Sequence, residues 1–175
     1  MQRILIIGGP GGGKSTLTRA LSQRLDLSVT HLDQIWWTPG WINRDLEDYR
    51  ARVAAIVDRD SWIIDGNYSN SFDLRMPRAD TIIWIDQPRR VCMRRTLWRA
   101  LSQLGRTRAD VAPGCPERFN LEFFLYVWNF NRDSRPKIVE GLKEFGGGAK
   151  LIHLKNDRDI ADFLSLPLEG GGWRA

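Results

Sequence analysis

The chain is poor in cysteine: Cys92 and Cys115 are the only two among 175 residues. Two thiols in a chain this long make neither a disulfide framework nor a zinc-type spacing, and they suit a reducing compartment. Long apolar runs are missing as well. No stretch approaches the ~20 residues that cross a bilayer. The first run, Ile4-Leu5-Ile6-Ile7, is too short for a signal peptide. These absences predict a cytoplasmic protein with no membrane partner. Repeats are absent, and so is any composition break that would mark a second domain. Residues 1–166 therefore read as one domain, and 167–175 as a disordered tail. Acids are absent from one long segment. Between Asp86 and Asp110 there are none, while Arg89, Arg90, Arg94, Arg95, Arg99, Arg106 and Arg108 all fall there.

Over the whole chain, 26 Lys and Arg face 21 Asp and Glu, a net charge of +5. That balance favours anionic partners, nucleotides or nucleic acid, without separating the two. Eight tryptophans are many for this length; core and pocket wall account for most of them.

The most informative string is Gly8-Gly9-Pro10-Gly11-Gly12-Gly13-Lys14-Ser15-Thr16. It fits G-x-x-x-x-G-K-[ST] in full, with an apolar strand before it and a helical pattern from Thr16 to Leu25 behind it. Such a loop curls its backbone N–H groups inward around phosphate, and the helix aims its positive end at the same point. Gly9, Gly11, Gly12, Gly13 and Thr16 belong to this cradle. Lys14 is expected to reach the outer phosphates and Ser15 to ligate Mg²⁺. The cofactors implied are ATP and Mg²⁺.

Strand and helix signals alternate, which predicts an α/β fold with a parallel sheet. Strands are expected at Arg3–Ile7, Ser28–Leu32, Ser61–Asp65, Thr81–Asp86 and Leu151–Leu154. Helices are expected from about Arg44 to Asp58, capped by Asn43, then after Pro88, over Phe119–Phe130, from Ser134 to the glycines at 146–148, and from Asp159 to Leu164. Gly105 to Phe119 reads as a long loop.

In such sheets ligands bind beyond the carboxyl ends of the strands, and acids stand there at Asp33, Asp65, Asp86 and Asp157. Asp65 suits the Mg²⁺ hydration shell, against a plain turn role before Gly66. Asp33 suits a substrate hydroxyl, with Trp36, Trp37 and Trp41 as a wall; a turn aspartate beside core tryptophans fits equally. His31 reads as a packed histidine. The acid-free arginine run leading into a Gly/Pro loop suits a lid over about 105–135 that closes on transferring phosphates. Its rival is a nucleic-acid stripe interleaved with Phe119, Phe123, Phe124, Tyr126, Trp128 and Phe130. Helical core packing explains those aromatics more simply.

These residues resemble the adenylate-kinase-like branch of P-loop kinases, in the loop, in Trp62-Ile63-Ile64-Asp65-Gly66, and in Ile85-Asp86-Gln87-Pro88 followed by Arg95 and Arg99. More closely, His31-Leu32-Asp33, Asp65-Gly66-Asn67-Tyr68, Pro113 to Phe119 and Trp128-Asn129-Phe130 resemble the bacterial family labelled topology modulation protein. The resemblance implies a P-loop NTPase fold: five parallel strands flanked by helices, with a helical and loop lid before the last strand. It implies Arg95 and Arg99 as nucleotide-site arginines. Adenylate kinases continue the third strand as Asp-Gly-Phe-Pro-Arg, whereas here Asp65-Gly66 is followed by Asn67-Tyr68-Ser69, and the nearest arginine is Arg75. That departure argues against AMP as the acceptor.

The expectation is an ATP-dependent kinase of a small acceptor. Lys14, Asp33, Arg95 and Arg132 would be catalytic, and Ser15 and Asp65 would hold the metal. Asp33, Trp37, Asn67, Tyr68, Arg75, Arg118 and Arg135 would meet the acceptor. The alternative is an ATP-binding regulatory protein acting on nucleic acid.

Overall fold

The computed structural model describes residues 1–167; the expected tail lies outside the described residues except for Pro167. The elements in chain order are β1 (Arg3–Gly8), α1 (Lys14–Leu25), β2 (Val29–His31), α2 (Leu32–Trp36), β3 (Trp37–Thr38), β4 (Ile42–Asn43), α3 (Leu46–Val57) and β5 (Trp62–Asp65). Then come α4 (Phe72–Arg75), β6 (Thr81–Ile85), α5 (Arg89–Ser102), α6 (Leu121–Asp133), α7 (Arg135–Phe145), β7 (Lys150–Leu154) and α8 (Asp157–Ser165). Residues 103–120 contain neither helix nor strand.

Five strands form one parallel sheet in the order β2-β5-β1-β6-β7. β1 is central, so it is apolar on both faces, as a doubly covered strand must be. Leu5 and Ile7 point into a core with Tyr49, Val53, Phe72, Phe130 and Ile138. Ile4 and Ile6 point the other way, onto Leu17, Leu21 and Phe163 of α1 and α8. This two-residue alternation fixes the register, because a one-residue slip would swap the two faces.

Local differences from the expected elements have physical reasons. β2 stops at His31, paired with Asp65 of β5, and the chain turns at once into α2. The cap of α3 is Asp45, whose Oδ1 accepts from the Glu47 and Asp48 amides. Asn43 is occupied instead in the β3–β4 hairpin, opposite Trp37. On α3, Tyr49, Val53, Ile56 and Val57 are buried, whereas Leu46 is exposed. α8 begins two residues earlier than expected, capped by Asn156. Among the tryptophans, Trp62 and Trp84 are core, but Trp98 and Trp128 lie on the surface.

At the end of β1 the backbones close up. A Cβ on Gly8 would stand 2.1 Å from the Ile85 carbonyl oxygen, and Gly8 has φ +140°. Gly8→Ala should therefore lower folding stability by about 1–3 kcal/mol or more, read from urea unfolding. Gly147→Ala faces open space and should stay within about 0.5 kcal/mol of the parent.

Candidate active site

The loop between β1 and α1 is held by crowding and by a few contacts of its own. Gly11 and Gly13 have φ +72° and +100°. A Cβ on Gly11 would meet the Cys92 carbonyl oxygen at 2.5 Å, so the loop lies flush on α5. The Gly12 amide donates to the Gly9 carbonyl at 3.2 Å. α1 starts at Lys14 with no side-chain cap on Gly13, which leaves its first N–H groups for a ligand. Lys14 Nζ arches over the loop and donates to the Gly8 and Gly9 carbonyls, both at 3.0 Å. Ser15 and Thr16 follow in the first turn. Arg95, from α5, brings Nη1 to 3.9 Å from the place a Gly13 Cβ would take. Its Nη2 donates to both oxygens of Asp157, at 2.8 and 2.7 Å. Those bonds hold the Asp157 carboxyl below the usual carboxylate range.

Asp65 is paired in register with Ile6 of β1, so its carboxylate arrives beside the loop, buried. Its Oδ2 accepts from Thr18 Oγ1 at 3.2 Å and stands 3.2 Å from His31 Nδ1. Burial works against a charge on His31, but the hydrogen bond and charge of Asp65 outweigh it and raise the imidazole pKa. The Ser15 hydroxyl donates elsewhere, to Oδ2 of Asp110 at 2.7 Å. Asp110 lies in the 103–120 segment and was not anticipated. Nor was His31 as a partner of Asp65, although the strand-end string His31-Leu32-Asp33 pointed to the region.

Asp33 sits in α2, and Tyr68 Oη donates to its Oδ1 at 2.6 Å. Burial pushes the Asp33 carboxyl pKa up, while the Tyr68 hydrogen bond and the Lys14 charge draw it down. Asp33 thus lies within the field of Lys14. The aromatic wall here is Trp36, whose ring centroid is 5.0 Å from that of Tyr49 and 5.6 Å from that of Tyr68. Trp37 belongs to a different cluster, with Trp41, Val111, Ala112 and Cys115. Asn67 Oδ1 is buried without a hydrogen-bond partner among the described residues.

Arg75 differs most from its expected role of meeting the acceptor. Its side chain is fully buried, and its guanidinium donates to Ser71 Oγ, Gly66 O and Tyr68 O at 2.7–3.0 Å. Burial lowers its pKa to about 10, so it stays charged at neutral pH. It shapes the Gly66–Tyr68 turn from behind instead of facing the cleft.

The other arginines are mostly engaged. Arg99 Nε and Arg108 Nε donate to the two oxygens of buried Glu117, at 3.3 and 3.0 Å. Arg108 Nη1 also donates to Asp110 Oδ2 at 2.8 Å. Arg135 binds Asp86 and covers the Trp84 ring. Arg118 lies over Trp41. Arg132 is 75% exposed and pairs with its neighbour Asp133, so it reaches none of the groups above. The geometry brings together Lys14, Ser15, Arg95, Asp33, Asp65 and Tyr68; it leaves Arg118, Arg132, Arg135 and Trp37 outside that group.

The 103–120 segment is seated on the β3–β4 hairpin. The Gly40 amide donates to Gly114 O at 2.8 Å, Trp41 Nε1 to Pro116 O at 2.9 Å, and Cys115 Sγ to Thr38 O at 3.2 Å. No three His, Cys, Asp or Glu side chains cluster as a metal site among the described residues. No helix there is long and apolar enough to cross a membrane.

Relieving the buried charge at Asp33 has a measurable consequence. A carboxyl with a raised folded pKa costs stability as pH climbs from its unfolded to its folded value. Asp33→Asn keeps an acceptor for Tyr68 and removes that cost. It should raise Tm at pH 7, by about 2–4 °C for each kcal/mol relieved, and the gain should vanish below about pH 3. Thermal unfolding at both pH values reads this directly.

No protein-family model and no curated protein matches the chain. Solved structures do. Shikimate kinase from Acinetobacter baumannii, solved in complex with shikimate, superposes with a TM-score of 0.59 at 16% identity, over 94% of this chain and 89% of that one. A protein from Chloroflexus aurantiacus described as a "putative kinase" superposes with a TM-score of 0.55 at 16% identity, over 93% and 95%. At this identity the likeness shows the fold alone: a five-stranded parallel sheet flanked by helices, of the P-loop NTPase type.

Proposed function

We propose that the protein is an ATP-dependent phosphotransferase that moves the γ-phosphoryl group to a hydroxyl of a small acceptor. One observation carries this reading. Asp33, held by Tyr68, lies within the field of Lys14, which itself arches over the phosphate loop. A carboxylate able to accept a proton and the lysine of the Gly8–Thr16 loop thus act on one another, which supports transfer to a hydroxyl.

In this reading the loop amides and Lys14 hold the triphosphate, and Arg95 closes its outer side. Asp33 takes the proton of the acceptor hydroxyl as that oxygen bonds to the γ-phosphorus. The bond from the γ-phosphorus to the bridging oxygen breaks, and ADP leaves. Tyr68 fixes the Asp33 rotamer, and Trp36 offers an apolar wall to the acceptor. Hard oxygen donors, Ser15 and the nearby carboxylates, suit Mg²⁺; when bound, the ion neutralises charge on the β- and γ-phosphates. Residues 1–166 act as one domain, and 105–135 as its lid.

An acceptor phosphate of the AMP kind fits poorly, because Arg75 spends its donors on the turn behind the cleft. The resemblance to the topology modulation family carries no acceptor with it. Nucleic acid is the less favoured partner: Arg95, Arg99 and Arg108 are tied to Asp157, Glu117 and Asp110. Only a reduced set of cations is left for a phosphate backbone.

The test is a transfer screen with γ-labelled ATP against nucleosides, nucleotides and small hydroxyl compounds. Label should move to a hydroxyl compound. Label released only as phosphate, together with duplex DNA binding that falls steeply with salt, would favour the regulatory alternative. Lys14→Ala should abolish transfer and sharply weaken binding of an ATP analogue in calorimetry. Asp33→Asn should lower kcat by about 10²–10⁴-fold with little change in analogue affinity.

A further inference from the structure

The acid beside the P-loop hydroxyl does not come from the sheet. In the expected arrangement Asp65, at the end of β5, would stand by Ser15. In the structure Asp65 is engaged by Thr18 and His31, and Ser15 Oγ donates to Asp110 Oδ2 at 2.7 Å. We propose that Asp110 is a metal-site carboxylate delivered by the 103–120 segment, so that the divalent ion serving the phosphate loop is gripped only while this segment is seated. The inference rests on the nucleotide-site reading above and deepens it.

Two features support the assignment. The first is spacing. Ligand oxygens about 2.0–2.1 Å from Mg²⁺ in octahedral geometry stand about 2.9 Å apart along each edge. Ser15 Oγ and Asp110 Oδ2, 2.7 Å apart, are already separated by close to that edge. The second is anchorage. Arg108 bridges Asp110 to buried Glu117, which Arg99 of α5 also holds. The segment is pinned independently to the hairpin through Gly114, Cys115 and Pro116. Asp110 is thus fixed from both sides and does not hang on a free loop.

A rival use of the same contact is a latch, in which Asp110 blocks Ser15 and must leave before nucleotide binds. The two make opposite forecasts for Asp110→Asn, which keeps size and removes charge. The measurement is Mn²⁺ binding followed by electron paramagnetic resonance in the presence of ADP, with ADP affinity measured separately in EDTA. The wild-type chain should hold Mn²⁺·ADP. Asp110→Asn should lose about tenfold to a hundredfold in Mn²⁺ affinity, with ADP affinity in EDTA unchanged, and Asp110→Glu should recover part of the loss. An unchanged melting curve keeps the comparison among folded chains. Equal Mn²⁺ affinity in Asp110→Asn, or tighter binding, overturns the assignment, and tighter binding identifies a latch. Wild type that binds no ADP with or without metal overturns the nucleotide-site reading as well, so the two failures are distinct.

Discussion

The turn from β1 into α1 leaves no room for a side chain at Gly8 or Gly11, and that crowding sets where the loop lies. Gly8 is pressed on the carbonyl of Ile85, and Gly11 on that of Cys92. The loop is therefore wedged between the end of β6 and the flank of α5, and the Gly12 amide and Lys14 tie it to its own carbonyls. Rigidity matters because a cradle of N–H groups binds an anion best when its dipoles are already aimed. Central placement of β1 then does the rest. Its neighbour β5 ends in Asp65, Asp86 directly follows β6, and α5, packed beneath the loop, carries Arg95 to its rim.

The second layer of the site is electrostatic. Asp33, Asp65 and Asp110 all lie near enough to His31 to draw its pKa up, and partly buried charges of this kind are costly unless each is answered. Tyr68 answers Asp33, Thr18 and His31 answer Asp65, and Ser15 and Arg108 answer Asp110. Hydroxyls, an imidazole and the Arg108 guanidinium do the answering there, whereas the buried Arg75 guanidinium is spent on the Ser71 hydroxyl and two carbonyls. The division separates groups that serve a ligand from groups that hold the walls.

Much of this was legible in the residues. The doubly buried strands showed themselves as continuous apolar runs, and the Gly-rich string of residues 8–16 was expected between a strand and a helix, where it stands. What was not legible depended on contacts far apart in the chain or on elements too short to have a period. Ser15 and Asp110 are 95 residues apart, and an acid at the end of an arginine run gives no linear sign of reaching the loop. The β3–β4 hairpin has two residues per strand, so Asn43 looked like a helix cap when Asp45 was the cap. α2 replaced an expected strand end, and a helical turn puts Asp33 and Trp36 on one face while Trp37 leaves with the hairpin. Arg75 was expected to meet the acceptor, but it is fully buried. Its partners are the Ser71 hydroxyl and two backbone carbonyls, and a backbone acceptor is not displayed by sequence.

The account stands on one claim: the phosphate loop and the 103–120 segment are two sides of the same nucleotide site. Hydrogen exchange of the wild-type chain, with and without Mg²⁺ and a non-hydrolysable ATP analogue, tests it most directly. Slower exchange should appear together at residues 8–16 and at 106–118, with the outer surface of α5 and α6 unchanged. Protection of the loop alone, or of the outer surface of α5 and α6 instead, would contradict the claim.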